Sequence, residues 1–533
     1  MVETMTFPVE QFSDEERERL APHFTNLDKP VFGLVNLPET VKGALFARYS
    51  RYAGTLRRLF LDEFADSTPE VPPTALIEGG GSEGERAAKL YETIFLGYGD
   101  DSVAQLGGAH IACEWTSNLL TKILQRPRLA AYHEQSTRYI AYDAQLGGYG
   151  YRYHRDARFG PDYERALDDL FATYSSLLER TTAHVGERFP AAEGESPAAH
   201  RRAVRAKALD LVRGILPAAS LSHMGIYASG QTYEQLVLHL LAHPLAEAQA
   251  YGEMLLVELQ KIIPSFVARV PKPDRGGRWI EFLRERREAA DVVAARLGLD
   301  GSAGASAPSV RLIRAHGNEL ELIAALLYES TGVGEEEALR SVAQLDPAQR
   351  TDLVRELIGT RENRRHRPGR GFETLRYRFE IVSDYGAFRD LQRHRLLTCQ
   401  WQRLSPDLGA DTPHELVEAG LGGDYERALE VSRTEYSRLR EAGLVEEAPY
   451  ALCLAFRIRY VLELDARSAL HLIELRSGRE GHPSYRAVAH EMRRAIAGVH
   501  PSVAAAMEFV DDSTEERLER LLSEMRNEAR AGS

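Results

Sequence analysis

Apolar residues recur at three- and four-residue intervals through long stretches of this chain. That spacing predicts amphipathic helices over 163–180, 201–213, 233–259 and 425–442. Two short apolar-aromatic runs, 376–382 and 108–112, predict strands, and together these elements give a helix-rich α+β fold. The pattern breaks most clearly at Gly298-Leu-Asp-Gly-Ser-Ala-Gly-Ala-Ser-Ala-Pro308, where small residues with Gly and Pro cannot bury enough surface to order themselves. It predicts an early lobe over 1–295, a linker over 296–309 and a late lobe over 310–533. A chain of 533 residues is past the size at which one core stops growing, which agrees.

The two lobes show the same order of parts. Each has a leading helical segment and then an Arg-x-Arg element, Arg126-Pro-Arg128 early and Arg393-His-Arg395 late. A long helical stretch follows, then a segment that is apolar before it turns helical. In the early lobe that segment is Ile215-Leu-Pro-Ala-Ala-Ser-Leu-Ser-His223, in the late lobe Pro449-Tyr-Ala-Leu-Cys-Leu-Ala-Phe456. Extra residues near 147–161 and 191–199 predict loop insertions in the early lobe. A repeat this faint is suggestive, and the motifs must decide it.

Composition narrows the function classes. Hydrophobic residues at 44% and charged residues at 27% suit a soluble globular protein. No stretch approaches the roughly 18 apolar residues of a membrane helix, and the first residues lack a signal-peptide pattern, so a cytoplasmic protein without membrane contact is expected. Three cysteines, Cys113, Cys399 and Cys453, argue against a disulfide scaffold, and the lack of CxxC or CxxH spacing argues against a metal site. A net charge of −13 speaks against nucleic acid as a partner but leaves room for a small anion held by a few guanidinium groups. On charge alone, the run Arg361-Glu-Asn-Arg-Arg-His-Arg367 reads as a solvated helix end.

Three strings carry candidate chemistry. Arg393-His-Arg395 follows a helical segment and puts two fixed charges and an imidazole in a small volume, which suits an anionic, planar ligand; a surface basic turn can carry the same string. In Asp465-Ala-Arg-Ser-Ala-Leu-His-Leu-Ile-Glu-Leu-Arg476, helical spacing puts Arg467, His471 and Leu475 on one face beside Arg476, lining a cleft or meeting solvent. In Glu134-Gln-Ser-Thr-Arg-Tyr139, Ser136 and Arg138 can converge on one phosphate or Ser136 can cap a helix. Gly79-Gly-Gly-Ser-Glu-Gly84 matches GxGxxG formally but follows a short, Pro-broken segment, and reads as a turn.

These strings resemble the flavin-dependent thymidylate synthases, which carry RHRxxSxNExSxRY, then an Arg shortly before Leu-Pro, then NxRxxxNFLxLR. The early lobe keeps Glu134, Ser136, Arg138 and Arg213, which in that family contact dUMP, but has Pro127 where the family has its flavin-side His and Ser229-Gly-Gln231 where the later motif would begin. The late lobe keeps Arg393, His394, Arg395, a Phe372-Glu373 pair, Arg467, His471 and Arg476, but has Trp401-Gln-Arg-Leu-Ser405 in place of ExSxR. Each lobe departs where the other conforms.

The resemblance implies two tandem lobes of that family and one composite site, with reductive methylation of dUMP to dTMP. It implies FAD as cofactor, with methylenetetrahydrofolate and NADPH as further partners. Glu134, Ser136, Arg138, Arg213 and Arg476 are the implied substrate-binding residues. Glu373, Arg393, His394, Arg395, Arg467 and His471 are the implied flavin-binding residues, and Arg393, His394 and Arg476 the catalytic ones. The family's four-lobed particle implies a homodimer of this chain. No cysteine stands in the context a nucleophile would need, in keeping with a flavin route, which uses none. The alternative is a non-catalytic or repurposed nucleotide- or flavin-binding descendant with an assembly or regulatory role. An enzyme should take up FAD with a spectral shift and rescue growth of a thymidine-requiring bacterial strain.

Overall fold

Among the described residues, eight strands form two four-stranded antiparallel sheets with the same internal order. The first contains β1 (Val31–Leu34), β2 (Gly108–Ser117), β3 (Ala130–Glu134) and β4 (Leu221–Ser229), arranged β1-β2-β4-β3. The second contains β5 (Ser309–His316), β6 (Arg376–Asp384), β7 (Thr398–Trp401) and β8 (Arg457–Asp465), arranged β5-β6-β8-β7. Both predicted strands are therefore central ones, β2 and β6. The computed structural model describes residues 5–67, 105, 107–299, 304 and 306–531. The Gly79–Gly84 run and linker residues 300–303 and 305 lie outside them.

The registers make the duplication quantitative. Gly108 faces Ser229 across β2 and β4, and Arg376 faces Asp465 across β6 and β8. Ala131 faces Tyr227 as Thr398 faces Glu463, so Trp401 stands in the late sheet where Glu134 stands in the early one. Each central strand runs straight into a helix: α1 (Asn118–Leu124), α2 (Gly230–Leu241), α3 (Tyr385–Leu391) and α4 (Ala466–Arg476). The last strand residue is each time the N-cap: Ser117, Ser229, Asp384 and Asp465 accept from the backbone N–H of Leu120, Thr232, Ala387 and Ser468. A short acceptor on extended backbone ends the strand and satisfies an orphan donor of the helix in one residue.

Side chains fix the faces. Along β8 Ile458, Tyr460, Leu462 and Leu464 are buried, while the residues between them are half-exposed. That is the period-2 pattern of a sheet covered on one side. The predicted helices at 163–180, 201–213 and 425–442 are found as Gly160–Arg188, Pro197–Val212 and Gly422–Glu441. The predicted helix at 233–259 is two, α2 and Ala246–Ile262, broken around His243-Pro244. Proline disfavours helical backbone in the residue before it, which ends the first helix.

Residue contacts among the described residues gather the chain into two units. One comprises Met1–Ser176, Leu216–Ser302 and Glu430–Cys453; the other comprises Leu177–Ile215, Ala303–Leu429 and Leu454–Ser533. Each sheet lies within one unit, and each unit includes a segment numbered in the opposite lobe. No helix of the described residues is long and apolar enough to cross a membrane.

Candidate functional site

In the second unit, helix α3 ends at Leu391, and Arg393-His394-Arg395 forms the turn from it into β7. Helix α4 supplies Arg467, His471, Leu475 and Arg476, the one-face spacing that the sequence predicts. All seven residues line one cavity of about 270 Å3, with Ser468, Leu396 and Leu397. Arg367 lines it as well.

The 361–367 run is exposed from Glu362 to Arg367, as the reading of a solvated helix end expects, but it is not a helix end and is not solvated at Arg361. No helix is found there, and Arg361 is buried, donating to both Glu474 carboxylate oxygens at 2.7 and 2.6 Å. The pair anchors the run to α4, so Arg367 reaches the cavity. Five arginines and two histidines thus face one space. Among the described acids, Glu373 pairs with Arg370 at 3.0 Å and Arg467 at 3.5 Å, and Asp390 lies 3.8 Å from Arg476.

Both histidines are held toward the neutral form. Burial, and then the Arg476 charge, hold the His394 imidazole well below its ordinary pKa. Its Nε2 accepts from Arg476 Nε at 3.0 Å, which places the ring proton on Nδ1. Burial, followed by Arg367, Arg364 and Arg476, lowers the His471 pKa to about 4. The two rings meet edge to face with centroids 5.9 Å apart, and His471 Nδ1 is buried without a hydrogen-bond partner among the described residues.

Arg213, numbered in the early lobe, belongs to the second unit, like all the late-lobe site residues. Its backbone is pinned by its neighbour: Gly214 O accepts from Ala455 N at 2.8 Å, and a Cβ on Gly214 would meet the Tyr425 hydroxyl at 1.9 Å. Only glycine permits that approach. The guanidinium is 4% exposed and lies 3.5 Å from Asp390. It lines a second cavity of about 160 Å3, with Asp384, Asp411 and His482.

Glu134, Ser136 and Arg138 belong to the first unit. Glu134, at the end of β3, is buried and already has partners: Lys122 Nζ donates to it at 3.0 Å and Gln125 Nε2 at 2.9 Å. Ser136 caps no helix; its hydroxyl accepts from Arg138 N at 3.3 Å, and its carbonyl accepts from Tyr139 and Ile140. The ExSxR string is therefore a side-chain-stabilised turn with Arg138 half-exposed.

The cysteines are placed as small apolar residues. Cys113 and Cys453 are fully buried, which raises the Cys113 thiol far above its usual range and pushes Cys453 up to about 12. Cys399 is half-buried on β7. No cluster of His, Cys, Asp or Glu among the described residues could hold a metal ion.

The sequence reading missed Arg367, Asp390, Lys122 and Gln125. Lys122 and Gln125 precede Arg126 on the helix face leading into the motif, and Asp390 lies one turn before Arg393. That neighbourhood was the signal available.

Comparison with known proteins agrees with the geometry. Residues 65–265 and 311–502 each match the family described as thymidylate synthase complementing protein. A UPF0159 protein of Chlamydia muridarum is 37% identical over 97% of this chain and 99% of its own length. One of Chlamydia pneumoniae is 34% identical over 97% and 98%. One of Thermoplasma acidophilum is 28% identical over 92% and 99%. Among solved structures, the UMP/dUMP methylase PolB from Streptomyces cacaoi, bound with 5-Br dUMP, has a TM-score of 0.31 and 22% identity over 38% of this chain and 94% of its own. Two tandem family matches, one taking in β2, β3 and β4 and the other β6, β7 and β8, identify this chain as a member of the thymidylate synthase complementing protein family in an internally duplicated form.

Proposed function

We propose that this protein is a flavin-dependent thymidylate synthase-like methyltransferase that converts dUMP to dTMP. The observation that supports it most is the cavity of the second unit, in which the RHR turn and α4 gather five guanidinium groups around two neutral imidazoles. Such a lining suits a ligand with both anionic and flat aromatic parts. The orphaned His471 Nδ1 fits as well, since a buried polar atom without a partner calls for a ligand or water. At about 270 Å3 the space is below the ~300–1,000 Å3 of pockets that enclose a drug-sized ligand, so it would take part of FAD rather than the whole.

When bound, FAD supplies the reducing equivalents, with methylenetetrahydrofolate as one-carbon donor and NADPH as reductant. Arg393, Arg395 and Arg467 bind the anionic part of the cofactor, Glu373 positions Arg467, and His394 and His471 remain uncharged against the flat part. Arg476 holds His394 by its Nε–H and orients the pyrimidine. Glu134, Ser136, Arg138 and Arg213 hold the nucleotide, the arginines through its phosphate. The chain works as a homodimer.

The test is growth rescue of a thymidine-requiring bacterial strain, alongside FAD titration of the purified protein. Rescue together with a flavin spectral shift is expected. One observation favours a second reading, a repurposed or non-catalytic binding protein: the Glu134 carboxylate already has Lys122 and Gln125, and Arg213 has Asp390. FAD uptake without rescue selects that reading, and failure of both overturns the first.

A further inference from the structure

Three arginines converge on one carboxylate at the edge of the arginine-lined cavity. Asp390, in the last turn of α3, is 8% exposed. Its Oδ1 lies 3.3 Å from Arg393 Nη2 and 3.8 Å from Arg476 Nη1, and its Oδ2 lies 3.5 Å from Arg213 Nη1. Charge-assisted hydrogen bonds in a fitted pair are shorter, about 2.7–2.9 Å. The same unit contains such a pair, Arg361 with Glu474 at 2.6 and 2.7 Å, both side chains buried. Asp390 is bonded differently: it sits among three guanidinium groups as a shared centre of charge, in the tight fork of none of them.

A second observation shows that the cluster is incomplete. Arg213 Nη2 is buried and has no hydrogen-bond partner among the described residues. A guanidinium has five donors, and leaving one unmet inside a protein is costly unless an acceptor arrives. Arg393 and Arg476 line the cavity of about 270 Å3 and Arg213 the one of about 160 Å3, so Asp390 ties residues of both cavities together.

We propose that Asp390 is a resident counter-ion, a stand-in for ligand phosphate that keeps Arg213, Arg393 and Arg476 poised and sets how much negative charge the site accepts. With no anion bound, it keeps three like charges from repelling one another. An incoming phosphate or diphosphate competes with it for the same donors and is repelled by it, so Asp390 weakens anion binding and disfavours the more highly charged ligand. It is a positioning and specificity residue. The proposal rests on the reading of these arginines as an anion site and adds a residue that opposes binding.

The sign of the effect is the test, with inorganic pyrophosphate as the probe. Isothermal titration of the full-length wild type, Asp390→Asn and Asp390→Glu should give an affinity about tenfold higher for Asp390→Asn, as expected on removing one nearby, partly screened like charge, and near wild type for Asp390→Glu. A purely structural role predicts the reverse, because loosened arginines bind less well. Asp390→Asn can be destabilised by loss of the carboxylate that three guanidinium groups share. Its melting temperature should then rise with pyrophosphate more steeply than that of the wild type. Equal or weaker binding by Asp390→Asn, without that steeper rise, overturns the counter-ion role and leaves the anion site standing. No pyrophosphate binding by any of the three proteins overturns both.

Discussion

Lys122 is 1% exposed and Glu134 5%, and their ion pair shows what the residue scale adds to a motif. A buried lysine is tolerated only when its charge is met, and Glu134 meets it at 3.0 Å. Lys122→Met should therefore cost about 3–5 kcal/mol by removing the cation paired with the buried carboxylate, and adding Glu134→Leu should recover most of it. Urea denaturation of both variants checks this; equal stability in the single and double variants would show that the carboxylate is supported elsewhere. His471 supplies the pH test. Its folded pKa of about 4 lies below the ordinary 6.5, so its contribution is complete above pH 6.5 and lost as pH falls from 6.5 toward 4. His471→Asn should lose about 1–2 kcal/mol less stability than the wild type between pH 7 and 4.5, a figure discounted for partial solvent exposure. The Arg393–Arg395 cluster was legible because its order is its own signal. Burial was not: neither Lys122 nor Asp390 differs in sequence from a solvated helix residue.

At the scale of elements, the recurring device is the strand that ends on its own helix cap. It was half legible. The one-face spacing of Arg467, His471 and Leu475 gave α4, but only register showed that Asp465 ends β8 opposite Arg376 and caps α4 by accepting from Ser468 at 2.7 Å. Asp465→Ala should cost about 1 kcal/mol, and Asp465→Ser should restore most of it, both read by chemical denaturation. Because the cap fixes where α4 begins, it also fixes the phase that turns Arg467, His471 and Arg476 toward one cavity. Long-range partners escaped the sequence for a physical reason. β1 and β7 are four residues each, too short for periodicity to mark them, and they become strands because a neighbour offers its edge. The split of the predicted 233–259 helix at Pro244 was legible in principle, since proline's restriction on its neighbour is local.

The whole molecule combines the sequence repeat with an exchange the sequence did not announce. The order of parts around the 296–309 linker predicts two lobes, and two sheets of one strand order bear out the duplication. The units drawn by residue contacts do not follow the linker alone. Leu177–Ile215, from before it, gathers with the second sheet, and Glu430–Cys453, from after it, gathers with the first. Periodicity called 201–213 and 425–442 helical, but an amphipathic face does not say which sheet it will cover. A chain cut at the linker should therefore yield two fragments that each lack a segment of their own unit. The missing pieces are not peripheral. Leu209, Val212 and Ile215 are buried in the second unit, and Leu439, Tyr450 and Cys453 in the first. Each such side chain is worth about 1.5–3 kcal/mol on burial, so losing three is comparable with the roughly 5–15 kcal/mol that holds a native domain together. Residues 1–295 and 310–533 expressed separately should give no cooperative thermal transition, whereas coexpression should yield a 1:1 complex that melts cooperatively and purifies through a tag on either fragment. A cooperative melt of the isolated late fragment would mean that its sheet folds without Leu177–Ile215. Arg213, carried by that segment, would then be absent from a folded unit that still holds Asp390, Arg393 and Arg476, and pyrophosphate titration of the fragment would show how much of the anion site needs it.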